Sequence, residues 1–348
     1  NLAKTASTLF PLLQGISSIS LLLLIAIGSG RLENGLITIG GLVALILYVE
    51  RLVFPTALLG FTLNTFQLGQ VSLERVEELL NRKPLIENPK NPIKLTNPIS
   101  GKVEAKGLNI KYDNSDKYIL KDINFSIKPG ELVAIVGPVG CGKTTLSRAI
   151  GRMIHVPKEQ LFVDNIDITK INLDDLRKNI ALVPQEGYLF TNTLAENLKY
   201  GEPLASFKKV EESAIQARLS DDIKGFPDGY KTLVGERGIT LSGGQRQRTA
   251  LGRALLIDAP IILLDDALAS VDNKTASAIL DSIRSERERT ILMISHQLSA
   301  AAACDRILVI ENGKLVQQGR HEDLIKEIGT YKSLWEREQA QEQINTTN

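Results

Sequence analysis

The first 70 residues are almost uncharged. Leu9 to Gly30 is apolar apart from scattered Ser, Gln and Gly, and is densest from Ile16 to Ile27. About 20 residues at 1.5 Å each cross a hydrocarbon core of roughly 30 Å, so this stretch predicts a membrane-spanning helix. A polar break follows at Arg31, Glu33, Asn34 and Gly35. Leu36 to Val49 is apolar again, Glu50 and Arg51 interrupt it, and Leu52 to Leu59 resumes. The break leaves room for little besides a turn, so the pattern predicts a helical hairpin with spans at about 9–30 and 36–59. A signal peptide would need a basic leader and a shorter apolar run. Past Pro55 the apolar positions Leu59, Leu63, Phe66, Val71, Val76, Leu79 and Leu80 recur at helical spacing. They extend the second helix beyond the bilayer. Arg75, Arg82 and Lys83 near its end place that end on the cytoplasmic side.

Residues 84–100 break the pattern. Pro84, Pro89, Pro92 and Pro98 remove backbone donors, and Asn88, Asn91 and Asn97 favour turns. They divide a membrane segment, 1–83, from a charged globular part, 101–340, with a tail at 341–348. In the globular part, Leu132–Val136 and Ile261–Leu264 are short apolar runs of the kind that form buried parallel strands.

The first run leads into Gly137, Pro138, Val139, Gly140, Cys141, Gly142, Lys143, Thr144 and Thr145. This fits the P-loop pattern between a strand and a helix. The glycines let the backbone curl so that its N–H groups face phosphates, and the helix N-terminus adds partial positive charge. Lys143 is expected to bridge the β- and γ-phosphates and Thr144 to bind Mg²⁺. Cys141 has a small side chain that suits the loop. As a thiol at a helix N-terminus it is also a candidate for a lowered pKa. The second run ends in Asp265 and Asp266, carboxylates at the strand end that faces the ligand crevice of an α/β sheet. Asp265 is expected to hold Mg²⁺ and Asp266 to polarise the attacking water.

The bulk numbers exclude more than they assign. A net charge of +1 over 348 residues gives no strong field for nucleic acid. Two cysteines, Cys141 and Cys304, make no disulfide framework, and three histidines make no metal cluster.

Leu241, Ser242, Gly243, Gly244 and Gln245, followed by Arg246-Gln-Arg, sit between these two motifs. With them the chain resembles an ABC transporter of the exporter-type half-transporter kind, over residues 101 to about 337. The resemblance implies a transmembrane α-helical hairpin followed by an α/β P-loop NTPase domain with antiparallel β and α-helical subdomains. It implies an ATPase whose ATP hydrolysis drives transport across a membrane, with ATP and Mg²⁺ as its cofactors. Tyr112 resembles the aromatic residue that stacks on adenine. Gln185 resembles the Q-loop glutamine that meets Mg²⁺, Ser270 and Asp272 lie in the D-loop, and His296 resembles the switch histidine at the γ-phosphate. Leu241–Gln245 would bind the ATP held by a second ATP-binding domain, so the partner is a second half-transporter subunit. Thr232–Gly238 is similar to the exporter X-loop. Family architecture has six membrane helices per subunit, so the hairpin is expected to be the last two, with four before Asn1. The expected setting is the plasma (inner) membrane with the ATP-binding domain in the cytoplasm. The lipid bilayer is the other partner, and the cargo stays open.

Two departures stand out. Asp266 occupies the place where active members usually carry Glu, and Ala269 that of the usual D-loop serine. The expectation is a degenerate, slowly hydrolysing site in a heterodimer, favoured over a homodimer that works with Asp266. The rival readings are a soluble ABC ATPase, which the apolar helices oppose, and an ATP-gated membrane protein that pumps nothing.

Overall fold

A computed structural model describes residues 2–95, 99–112, 117–271, 273–286 and 289–347. The chain divides into two compact units, Asn1–Pro84 and Leu85–Asn348.

Helices α1 (Leu2–Glu33) and α2 (Ile39–Leu80) form the first unit. Arg31 and Glu33 of the polar break stay in the last turn of α1, and Asn34 and Gly35 begin the turn: Leu36 N donates to Arg31 O at 3.0 Å, and Gly35 adopts a φ of 69°, which glycine tolerates. The Thr38 hydroxyl caps α2 by accepting from Gly41 N at 3.1 Å. The second helix therefore starts at Ile39, not at Leu36, because an N-cap residue holds non-helical backbone. A Cβ on Gly28 would collide with the Leu42 side chain, so a glycine is what lets the helices approach there. Gln14–Glu33 and Ile39–Leu80 are both long and apolar enough to cross a membrane. No residue of α2 is buried, and Phe54, Leu59, Phe61 and Phe66 stand exposed. Pro55 lies inside α2 without ending it. At 1.5 Å per residue α2 runs about 63 Å, roughly twice a hydrocarbon core.

The second unit is built on a six-stranded sheet. Its strands are β3 (Leu132–Val136), β6 (Ile180–Val183), β9 (Ile261–Asp265), β10 (Thr290–Ile294), β11 (Arg306–Glu311) and β12 (Lys314–Gly319). The order is β12-β11-β3-β10-β9-β6, parallel except for β12 against β11. Every residue of β3, β9 and β10 is buried, which is why these strands read as continuous apolar runs. One face packs on α8 (Gly243–Leu256), α9 (Asn273–Glu286) and α10 (Leu298–Ala302). The other packs on α3 (Lys143–Ile150) and on an antiparallel sheet of order β2-β1-β4-β5. Those strands are β1 (Val103–Ile110), β2 (Leu120–Ile127), β4 (Leu161–Val163) and β5 (Ile166–Asp167), with α4 (Leu173–Lys178) following. A smaller core joins α5 (Leu194–Lys199), α6 (Phe207–Gln216) and α7 (Ser220–Gly225) around Leu198, Val210, Ile223 and Leu256. A short ladder pairs β7 (Asn192–Thr193) with β8 (Leu233–Val234). Helices α11 (His321–Leu324) and α12 (Thr330–Thr347) close the chain.

The proline-rich stretch after α2 belongs to the second unit and is fastened to it. Ile93 bridges to Ile171, with Ile93 N donating to Lys170 O at 2.8 Å and Asn172 N to Ile93 O at 3.0 Å. Leu173 N donates to Asn88 Oδ1 at 2.7 Å. Arg152, just past α3, is buried. Its guanidinium donates to Ile168 O at 3.1 Å, Ile171 O at 3.4 Å and Glu87 O at 3.3 Å. One side chain thus ties the P-loop helix to the segment that follows α2. Arg152→Ala removes three charge-assisted bonds and should cost about 2–3 kcal/mol. A urea midpoint will measure that loss, and amide exchange should quicken at Ile93 and Leu173.

Candidate functional site

The C-terminal ends of β3, β9 and β10 collect the candidate residues. Gly137 leaves β3 with a φ of 150°, and a Cβ there would strike the carbonyl of Ile310 on β11. No other residue fits that crossing. Gly142 is the N-cap of α3 at a φ of 109° and supplies no capping side chain, so the first-turn amides face outward for a ligand. Lys143 is 5% exposed, and its ammonium donates to Gly137 O at 2.7 Å and Pro138 O at 3.0 Å, curled over the loop. Cys141 lies beneath, its Sγ 3.9 Å from Lys143 Nζ. Burial pushes its thiol up, and the Lys143 charge only partly offsets this. The lowered pKa considered from sequence is therefore absent: desolvation outweighs the helix terminus.

Thr144 Oγ1 donates to Asp265 Oδ1 at 3.1 Å. Burial raises the Asp265 pKa and the Asp266 charge adds to this, while the Thr144 hydrogen bond, Arg148 and Lys143 oppose. A buried carboxylate beside a hydroxyl is the oxygen donor set a hard divalent cation takes. Asp266 is 9% exposed at a φ of 52°, a left-handed conformation that Asp accepts more readily than longer side chains. Its carboxylate accepts from Gln185 Nε2 at 3.3 Å and from the His296 amide at 3.4 Å. The His296 imidazole is exposed. Tyr112, half-exposed, brings its hydroxyl to 3.4 Å from Thr145 Oγ1, which sets its ring beside the P-loop helix. These residues form one crevice fit for Mg²⁺ and a triphosphate.

The Leu241–Gln245 loop opens α8, which begins at Gly243. Ser242 and Gln245 form a capping box. Ser242 Oγ accepts from Gln245 N at 3.3 Å, and Ser242 N donates to Gln245 Oε1 at 2.9 Å. The Ser242 amide is therefore engaged within the box and not open to a ligand. The Gly243 and Gly244 amides and the Ser242 hydroxyl hydrogen remain. Both glycines face Ser270, whose carbonyl would lie 3.0 Å from a Cβ on Gly244. Asp272 lies outside the described residues.

Three further residues went unread in the sequence. Asp222 on α7 accepts from Gln245 Nε2 at 3.0 Å and pairs with Arg248 at 2.9 Å. Gln247 accepts from Ser270 N at 2.9 Å and reaches the Asp266 carbonyl at 3.5 Å. Arg253 donates to Tyr188 O at 2.9 Å, beyond the Q-loop glutamine, and to Asn197 O at 2.9 Å, with Phe190 and Tyr200 over its guanidinium. For Gln247 and Arg253, polar residues recurring on a helix that buries Ala250, Leu251 and Ala254 were the available signal. Asp222→Ala should loosen the signature loop alone. Titration should show unchanged Mg·ATP affinity, while ATPase activity falls about tenfold, as for misplaced catalytic groups.

Residues 120–269 match the ABC transporter family model. Over 329 residues the chain is 40% identical to "Multidrug resistance-like ATP-binding protein MdlA" of Buchnera aphidicola subsp. Baizongia pistaciae, covering 94% of this chain and 56% of that protein. "Probable multidrug resistance ABC transporter ATP-binding/permease protein YheI" of Bacillus subtilis is 36% identical over 304 residues, covering 87% and 52%. Among solved structures, "Structure of a bacterial Atm1-family ABC exporter with ATP bound" superposes with a TM-score of 0.81 at 32% identity, covering 96% of this chain and 59% of that one. The chain thus spans a little over half the length of these relatives. With its motifs in one crevice and two apolar helices ahead of them, the chain belongs to the ABC transporter family and has the helix-first layout of its exporter-type half-transporters.

Proposed function

We propose that this chain is part of a subunit that exports a substrate across the plasma membrane, driven by ATP binding and hydrolysis between two ATP-binding domains. What supports this reading is a P-loop lysine over its loop and Thr144 on Asp265, on a chain whose Gly243 and Gly244 amides have no hydrogen bond to the P-loop among the described residues. Among the described residues, no hydrogen bond joins Leu241–Gln245 to the P-loop. A second domain is needed to use both halves. Lys143 donates to the carbonyls of Gly137 and Pro138, and on binding it would turn those donors to the β- and γ-phosphates. Thr144, Asp265 and Gln185 would hold Mg²⁺, which supplies charge neutralisation at the phosphates. Tyr112 orients the adenine by stacking. Closure brings the partner's signature loop over the γ-phosphate, and loss of that phosphate releases it.

A path through the membrane has support in α2. Glu50 and Arg51 lie about 17 Å along it, near the middle of a hydrocarbon core if the helix enters at Ile39. Both are exposed. Charges at that depth face protein or water, not lipid.

We also propose that the site hydrolyses slowly and that the partner is a different subunit. The Asp266 carboxylate is held by the Gln185 side chain and the His296 amide. A glutamate would reach about 1.5 Å further. Misplacement of a catalytic group by about 1 Å costs on the order of 10²-fold, so the shorter Asp266 side chain is expected to act poorly on an attacking water. In the assembled transporter, Asp266→Glu should raise the ATPase rate at least tenfold. An unchanged rate would reject the short-carboxylate defect. ATP-dependent flux into inverted vesicles tests export itself; ATP binding without flux would favour a gated, non-pumping protein.

A further inference from the structure

We infer that Glu338, on the last helix, is a positioning residue for the His296 loop. The loop leaves β10 at Ile294 and turns into α10 within three residues. Inside the turn, Ser295 Oγ both donates to Gln297 O at 2.9 Å and accepts from Gln297 N at 3.0 Å. Gln297, the N-cap of α10, gives no side-chain cap. The missing cap comes from 40 residues away. Glu338 Oε2 accepts from Leu298 N at 2.8 Å and Glu338 Oε1 from Ser299 N at 3.3 Å. A carboxylate at a helix N-terminus satisfies orphan amides and meets the positive end of the helix.

Glu338 is itself held in place. Two turns earlier on α12, Tyr331 is wholly buried, its hydroxyl 2.7 Å from His321 Nδ1 and its amide donating to Gln317 Oε1 at 3.0 Å. The Trp335 ring lies 4.6 Å from the His321 ring, and Leu334 packs on the main core. The docked end of α12 therefore fixes where the carboxylate stands. The loop between β10 and α10 is pinned from both ends: the His296 amide on Asp266, and Leu298 and Ser299 on Glu338. Without the second pin, His296 keeps its backbone contact but the turn after it slackens.

The functional part rests on reading His296 as the group that meets the γ-phosphate. The test uses the assembled transporter in lipid nanodiscs, as Glu338→Ala and Glu338→Gln. Alanine should lower kcat about tenfold, within the range for a loosened catalytic group, and leave the KM for ATP within about twofold. Amide exchange at Leu298 and Ser299 should rise by about tenfold or more, as local opening becomes easier, while amides around Tyr331 stay protected. Glutamine, which keeps an acceptor but loses the charge, should fall between alanine and wild type. Unchanged exchange at Leu298 and Ser299 would overturn the cap. Faster exchange there with kcat intact would overturn its role in positioning His296. Loss of protection across α12, or a matching rise in KM, would make Glu338 merely structural. If the unaltered transporter neither binds nor hydrolyses Mg·ATP, the proposed function fails instead, and exchange at His296 to Ser299 still decides whether the cap holds the loop.

Discussion

Where β3 ends, the chain must turn into α3 past the carbonyl of Ile310, and only a residue without a Cβ passes there. That crossing fixes the rest. It orients the loop so that the uncapped first turn of α3 faces outward. It sets Lys143 over the loop carbonyls and Thr144 against Asp265 on β9. Because β9, β10 and β3 are parallel neighbours, their C-terminal ends deliver Asp265, Asp266 and His296 to the same edge. The sheet does not create the chemistry, but its register makes three distant segments one crevice.

What could be read from the residues and what could not divides along chain separation. Lys143 and Thr144 were legible because the P-loop is a local pattern with a local reason: glycines that turn, then a helix that begins. The buried strands were legible because both their faces are covered. Asp222, Gln247 and Glu338 were not legible, since each acts through a partner 19 or more residues away. The sequence around Asp222 and Glu338 looks like ordinary helix surface. The fastening of the proline-rich stretch is likewise not local. Its prolines exclude helix, as expected, but Arg152 and the Ile93–Ile171 bridge give its backbone partners from another part of the chain. Nor does composition reveal that Asp266 stands at positive φ or that the Ser242 amide is already engaged.

The signature loop illustrates a general economy of polar groups. A helix N-terminus has a limited set of orphan donors. Here the capping box takes Gln245 N and Ser242 N, and leaves Gly243 and Gly244. Had Ser242 kept its amide for a ligand, the loop would have lost the bond that sets its shape. Rigidity and binding capacity compete for the same groups, and glycine at the next two positions lets a phosphate approach the donors that remain.

Helix α8 is where the two halves of the chemistry meet. From its N-terminus it presents the signature loop, and through Gln247 it touches Ser270 and the Asp266 carbonyl. Through Arg253, two turns on, it holds the backbone at Tyr188 and Asn197, next to the ladder that ties Asn192–Thr193 to Leu233–Val234. Arg246 donates to Leu241 O at 2.7 Å, closing the loop back on the helix. A rigid helix cannot move one of these contacts without moving the others. Displacement of the segment after Gln185 must therefore appear as displacement of the signature amides. One helix thus grips the segment after Gln185, the Ser270 backbone and the signature loop at once.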